Sequence, residues 1–331
     1  MSNFWNEIKT HSFLLAPMED VTDTAFREII LHLSHPDYLQ VLYTEFTNTD
    51  GLCHPIGRDK VKSRLLVSHS EQKLLKEKNV KLVAQIWGNK PEKFYEATKY
   101  IDENYSFDGI DINMGCPVKK VVKQGSCSAL IKFPDLAGEI IQATKEATKL
   151  PVSVKTRTGF SQHITEDWIS FLLSQDPAAI ILHTRTQKMQ TDFPAEWEEM
   201  GKALEVRNKL KPHIPIIGNG DIFSMDDARK IHSKYPTDGF MIGRGIFQNP
   251  WFFNPDANPT INDKLNILLK HSRLYVKTWG QQRNFQVLKR FFKIYINDFN
   301  GAAVLRAKLM ETNNLEEVEK IIIDFKKSNL F

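Results

Sequence analysis

The sequence predicts a (β/α)8 TIM barrel followed by a small all-helical domain, and three observations carry that expectation. Short apolar, β-branched runs recur eight times over the first three quarters of the chain. Stretches with helical start signals lie between them, which is the pattern of parallel β-α units. Polar and reactive side chains sit at the C-terminal end of nearly every run, where a barrel builds its active site. The chain has 331 residues; a barrel takes roughly 250, so about 80 remain for a second domain.

The runs, in order, are FLLAPM (13–18), LQVLYTEF (39–46), KLVAQIW (81–87), DGIDIN (108–113), PVSVKTR (151–157), AAIILHTR (178–185), IPIIGNG (214–220) and DGFMIGR (238–244). Helix starts are marked by Thr22 before AFREIILHL, Pro91 before EKFYEATKYI, Pro134 before DLAGEIIQATKEA, Thr165 before EDWISFLL and Ser224 before MDDARKIHSK. After about Phe253 the β pattern stops. NDKLNILLKHSRLYVKTWG, FQVLKRFFKIYINDF and NLEEVEKIIIDFKK then read as three or four helices. Pro and Asn cluster in NPDANPTIN (254–262), placing the boundary there: 1–254 for the barrel and 255–331 for the helices. An open doubly wound sheet is the alternative, but the first run is followed by APMEDVTD and no Gly-rich dinucleotide fingerprint.

Composition excludes other classes. With 41% hydrophobic and 25% charged residues and no Gly/Ser- or Pro-rich tract, long disorder and fibrous repeats are not expected. No run approaches the roughly 18 apolar residues of a membrane span. MSNFWNEIKTHSF lacks the apolar core of a secretory signal. A cytoplasmic monomer without membrane association is expected. The cysteines, Cys53, Cys116 and Cys127, are too few for a disulfide framework, which fits a reducing compartment. Cys53-His54 with His69 matches no common ligand spacing, so no metal is expected.

The net charge of +4 conceals an uneven distribution. From Lys264 to Lys308 ten Lys/Arg face a single acid, Asp298, an excess of +9, while the rest of the chain is acidic. Such a segment suits a polyanion such as RNA. A merely solvated face is the plainer reading. Tyr275, Trp279, Phe291, Phe292 and Tyr295 recur at helical spacing within it and are expected to be core residues rather than bases' stacking partners.

The strand ends carry the candidate chemistry. The seventh run ends in Gly218-Asn219-Gly220-Asp221 and the eighth in Gly243-Arg244-Gly245. Either alone is an ordinary Gly-rich turn; together, at the two loops where barrels bind phosphate, they imply a phosphorylated ligand. Gln85, Lys155, Arg157, His183 and Arg185 ring the same mouth. They would stabilise an electron-rich ring system that gains negative charge on reduction; alternatively, Lys155 and Arg157 pair with Glu45 or Asp111 as structural salt bridges. The fourth run leads into Asp111-Ile112-Asn113-Met114-Gly115-Cys116-Pro117. Cys116, on a constrained turn beyond a strand end, can serve as a proton donor near its ordinary pKa of about 8.5. Asn113 is placed to fix a carbonyl or amide. Cys53 and Cys127 are read as structural.

These motifs resemble the tRNA-dihydrouridine synthase family. The resemblance runs through LAPMEDVTDTAFR, AQIWG, DGIDINMGCPVKKVVKQGSCSAL, VSVKTRTGF, HTRT, IPIIGNGDI and GFMIGRGIFQNPW, with FKIYINDFNGAAVLRAKLM similar to the family's helical domain. It implies FMN, reduced by NADPH or NADH, and reduction of the C5=C6 bond of specific tRNA uridines. Pro17 and Met18 would line the flavin, Gln85, Lys155 and His183 would contact its ring, and Asn219, Gly220, Asp221, Gly243 and Arg244 would hold its phosphate end. Cys116 corresponds to the general acid, Asn113 to a residue against flavin and uracil, and Arg157 to a uracil contact; Arg185 at the mouth is also expected on the substrate, and Lys289, Arg290 and Arg306 of the basic segment on the tRNA. The chain departs from the family at Cys127, where glycine is usual, at Thr184, where a small residue is usual, and over QKMQTDFPAEW. Thr44-Glu45-Phe46 is similar to the branch that modifies position 16 of the D-loop. A flavin barrel acting on a free pyrimidine or an enone, and an RNA-binding protein with an inactive barrel, are the competing readings.

Overall fold

The computed structural model describes residues 3–8 and 12–328. Nine strands form one sheet: β1 (Ser12–Leu15), β2 (Leu39–Tyr43), β3 (Thr47–Asn48), β4 (Lys81–Trp87), β5 (Gly109–Met114), β6 (Val152–Gly159), β7 (Ala179–Thr186), β8 (Ile216–Asn219) and β9 (Gly239–Ile242). All pairings are parallel. β1 pairs with both β2 and β9, and β2 also pairs with β4, so the sheet closes on itself. Closure excludes the doubly wound alternative. Each of the eight expected runs forms a barrel strand, and β3 is a two-residue extension that pairs with the end of β4.

Strand alternation sorts the interior into layers. Leu14, Val41, Val83, Ala179, Ile181, Ile217 and Met241 fill the barrel, and Phe4 and Trp5 of a short 3-10 turn close its N-terminal end. One or two steps further along the strands the inward positions become polar: Gln85 beside Asp111, Asn113 beside Lys155, Arg157 beside His183, and His183 beside Asn219. The fold thus raises the candidate residues onto a dry apolar floor. Outside the barrel, Phe26, Ile29, Phe94, Ile140, Trp168 and Met200 from the surrounding helices join the outer core.

Helix starts agree with expectation at Pro91 and Pro134, which occupy first-turn positions, and at Ser224, which forms a capping box with Asp227. Two differ. The helix Thr24–Leu33 is capped by Asp23, whose carboxylate accepts from Phe26 N–H, while the hydroxyl of Thr22 bonds back to Met18. Thr165 lies inside its helix, and its hydroxyl donates to Glu199. Three helices between β3 and β4, Thr49–Cys53, Pro55–Val61 and His69–Lys78, lack a strong apolar stripe and are not evident from periodicity.

The C-terminal segment contains helices Ile261–Trp279, Ala302–Met310 and Leu315–Ser328 around the shorter turns Phe285–Phe291 and Phe292–Tyr295. Its first helix begins with a capping box from Thr260 and Asp263 and packs on helix Thr24–Leu33. Tyr275, Trp279, Phe291, Phe292 and Tyr295 are all buried, as their spacing predicts. Phe291 packs with its ring centroid 5.1 Å from that of Phe26, so the apolar core runs continuously from the barrel into the helices. Arg283 donates to Glu45 (2.7 Å), Trp279 Nε1 donates to Asp23 (2.7 Å), and the Arg283 guanidinium lies 3.9 Å over the Trp279 ring. No helix among the described residues is long and apolar enough to cross a membrane.

Candidate active site

The loop after β5 is shaped by Asn113. Its Oδ1 accepts the N–H groups of Gly115 (3.1 Å) and Cys116 (3.0 Å), folding the chain back over the strand end. Its Nδ2 donates to Gln85 Oε1 (2.9 Å), Gln85 Nε2 donates to Asp111 (2.7 Å), and Ser153 donates to the other Asp111 oxygen (2.6 Å). Burial raises the Asp111 carboxyl to about 7. Every member of this relay is buried, and buried polar groups hold one geometry when all are satisfied. Gln85 therefore lies one layer below the mouth, supporting Asn113, and does not line the cavity.

Arg157 and Arg185 tie the surrounding loops together. Arg157 Nε donates to Gly115 O (2.7 Å), and its Nη1 donates to Thr186 O (2.9 Å) and Gln190 O (3.1 Å). Arg185 donates to Phe193 O (2.7 Å), to Asp221 and to His183 Nε2 (2.9 Å). An arginine cannot accept a proton at neutral pH, so His183 accepts through Nε2 and holds its own proton on Nδ1. Burial, reinforced by the charges of Arg157 and Lys155, keeps this imidazole neutral, far below its ordinary range. Lys155 donates to Asn219 Oδ1 (3.1 Å), and Asn219 in turn donates to Met241 O (2.8 Å). Burial, with Arg157 nearby, pulls the Lys155 ammonium down to about 8. The alternative salt bridges are not formed: Glu45 pairs with Arg283, and Asp111 bonds Gln85 and Ser153.

A cavity opens at this end of the barrel, lined by Pro17, Met18, Lys155, His183, Arg185, Asn219, Gly220, Asp221, Gly243 and Arg244. Nine of the ten expected cofactor residues thus meet at one place; Gln85 is the exception. Thr191, Ile222, Phe223 and Met241 also line it. Thr191 lies in the loop QKMQTDFPAEW. A Cβ at Gly243 would meet nothing closer than Ala16 at 3.8 Å, so the backbone there faces open space. Gly220 has φ +135°, and a Cβ would come within 2.8 Å of Ala195, so only glycine fits. Arg244, half-exposed, donates to Asp221 (2.7 Å).

Cys116, on the loop beyond β5, is partly buried and is not among the residues that line this cavity; its carbonyl accepts from Ser128 Oγ (2.7 Å). Its thiol is not at its ordinary pKa. A hydrogen bond from Cys127 lowers it to about 7 against the opposing effect of burial, with the Val118 N–H and the Arg157 and Lys155 charges contributing. Cys127, a structural residue on the sequence reading, is fully buried.

Among the basic residues of the helical segment, Lys270, Arg273, Lys277, Arg290, Lys293 and Lys308 are exposed. Lys289 corrects the expectation of an RNA-facing cation. It is 7% exposed, and its ammonium caps the end of helix Ala302–Met310 by donating to Met310 O (2.7 Å). Arg306 is half-buried and donates to Ile296 O (2.6 Å), and Arg290 donates to Asp20 O (3.2 Å) from an exposed position.

The dihydrouridine synthase (Dus) family model matches residues 14–329. The chain is 42% identical over 327 residues to a probable tRNA-dihydrouridine synthase of Staphylococcus aureus (strain MRSA252), covering 98% of this chain and 95% of that protein. It is 40% identical over 332 residues to probable tRNA-dihydrouridine synthase 2 of Bacillus subtilis (strain 168), covering 99% and 98%. Among solved structures, histamine dehydrogenase from Rhizobium sp. 4-9 aligns with TM-score 0.53 at 12% identity over 81% of this chain and 50% of that one, a likeness of fold. The match over both the barrel and the helices, together with the geometry around Asn113 and Cys116, shows that this chain belongs to the dihydrouridine synthase family.

Proposed function

We propose that this chain reduces the C5=C6 bond of specific uridines in the D-loop of tRNA, with FMN as cofactor and NADPH or NADH as reductant. The observation that carries the reading is Cys116, on the loop that Asn113 holds against the end of β5, beside the strand whose Lys155 lines a cavity with largely cationic charged lining.

The residues present fit a flavin mononucleotide. Gly243 leaves backbone bare toward the cavity, and Arg244 supplies charge for a phosphate. Pro17 and Met18 offer an apolar wall, and Lys155 offers a partly buried N–H donor to a ring that becomes anionic on reduction. When bound and reduced, FMN supplies a hydride to uracil C6.

The protein's own part is proton delivery and positioning. Addition of hydride at C6 leaves enolate charge at C4, and Cys116 gives its proton to C5 from the face opposite the flavin. Asn113, Arg157 and Arg185 hold the uracil, and Arg157 also fixes the loop that carries the acid. A stacked base cannot reach this depth, so the uridine enters flipped out. Residues 255–331 form the tRNA-docking domain in this reading, with Lys270, Arg273, Lys277, Arg290, Lys293 and Arg306 facing phosphates.

The test is incubation of the purified protein with NADPH and an unmodified tRNA transcript, followed by mass analysis of the nucleosides. A yellow protein that forms dihydrouridine upholds the reading. Turnover of free uracil but not tRNA would transfer the site to a small-molecule reductase, and a protein that takes up no flavin would overturn both.

A further inference from the structure

Gln85, Asp111 and Ser153 lie side by side in one layer of the barrel, paired across β4, β5 and β6, and Asn113 stands two residues further along β5. All four are buried. The hydrogen bonds among them have only one consistent direction. Backbone N–H groups can only donate, so the Asn113 atom that meets Gly115 N (3.1 Å) and Cys116 N (3.0 Å) must be the amide oxygen. Its Nδ2 therefore faces Gln85, which must answer with Oε1 (2.9 Å) and turn Nε2 toward Asp111 (2.7 Å). The chain of bonds closes only on an acceptor, and the Asp111 carboxyl is one.

We propose that Asp111 is a positioning residue for the loop that carries Cys116: by accepting from Gln85 it fixes the orientation of two amides in succession, and through them the backbone of Gly115 and Cys116. The inference rests on the assignment of Cys116 as the acid. Ser153 donates to the other Asp111 oxygen (2.6 Å) and so holds the carboxyl from the neighbouring strand. Asp111 does not line the cavity, and its effect passes through Gln85 and Asn113.

The same polarity decides what Asn113 can recognise. Both lone pairs of its Oδ1 are engaged by the backbone and one of its two N–H bonds by Gln85. One N–H is left. Toward a uracil or a flavin, Asn113 can only donate, which selects a carbonyl oxygen over an N–H edge.

The variants Asp111→Leu and Asp111→Asn separate this role from filling of the core. Leucine keeps the branched shape and accepts nothing, whereas asparagine can turn its Oδ1 to Gln85 and its N–H to Ser153. Amide hydrogen exchange of residues 113–117, read by mass spectrometry on the full-length protein, reports the Asn113 bonds without any turnover. The Gly115 and Cys116 amides are expected to exchange about tenfold faster in D111L, the loss of about one hydrogen bond, and within about twofold of the native chain in D111N. Single-turnover reduction of saturating tRNA is expected to follow the same order, about tenfold slower in D111L and near the native rate in D111N, with tRNA affinity unchanged in both. Gln85→Met breaks the relay one link nearer Asn113 without altering Asp111, and it is expected to match D111L, so the comparison survives a D111L chain that does not fold. Native exchange in D111L and Gln85→Met, or exchange in D111N as fast as in D111L, would overturn the proposal. Faster exchange in the variants of a protein that reduces no tRNA would instead refute the assigned reaction while upholding the relay.

Discussion

The barrel mouth and the C-terminal helices both carry concentrated positive charge, but they hold it in opposite ways. At the mouth, Arg157 and Arg185 are 3% and 2% exposed, and most of their donors are fixed on loop carbonyls, His183 and Asp221. In the helices, Lys270, Arg273, Lys277, Arg290, Lys293 and Lys308 are exposed while the aromatic residues between them pack inward. Buried, hydrogen-bonded cations resist displacement and hold geometry; exposed cations move easily and sum into a field. Position should therefore matter at the mouth, and number should matter on the helices.

The largest expected effect is at the mouth. Cys116→Ala should retain flavin and tRNA affinity yet slow dihydrouridine formation by about 10²- to 10⁴-fold, the usual contribution of a positioned acid. Unchanged turnover would show that position at the mouth does not matter. Next comes the junction of the two regions. Arg283 bridges Asp23 and Glu45, which are almost fully buried. Arg283→Leu should cost about 3 kcal/mol in unfolding experiments, because two buried carboxylates lose the cation they share. A fully stable variant would mean that the helices are held by apolar packing alone.

On the helices, Arg290→Glu with Lys293→Glu should weaken tRNA binding and reduce the slope of log affinity against log salt by about 0.9 for each phosphate left unneutralised. Lys289→Met is the internal control. Its ammonium is committed to Met310 O, so the salt slope should stay unchanged while stability falls by about 1–2 kcal/mol. A Lys289→Met slope as flat as that of the exposed pair would erase the distinction between buried and exposed charge.

The smallest effect is on pH and stability. Burial raises Asp111 to about 7 and Asp23 to about 6, both from an ordinary value near 4. A carboxyl raised on folding binds more protons in the native state than in the unfolded one, so its contribution to stability falls as pH rises from about 4 to about 7. Asp111→Asn should flatten that decline over the same window. Parallel stability curves for the two proteins would show that Asp111 titrates alike in both states.

Strand alternation makes much of the mouth legible in the sequence. Lys155 and Arg157, or His183 and Arg185, must point the same way once their runs are strands, and the Gly-rich ends of the last two strands line the cavity. Placements that depend on register between strands are not legible. Gln85 reads as a mouth residue until its pairing with Asp111 places it beneath Asn113. Lys289 reads as one basic residue among ten until the fold turns it inward. Cys127 carries no periodic signal of its place, which is set by its own left-handed backbone at φ +54°.

The most direct measurement is anaerobic single turnover: the reduced protein is mixed with unmodified tRNA, and the return of the oxidised flavin absorbance is followed alongside dihydrouridine formation. The native chain should regain the absorbance in step with product, and Cys116→Ala, saturated with the same tRNA, should do so at least about 100-fold more slowly. Equal rates for the two proteins would contradict the account of Cys116 as the proton source at the barrel mouth.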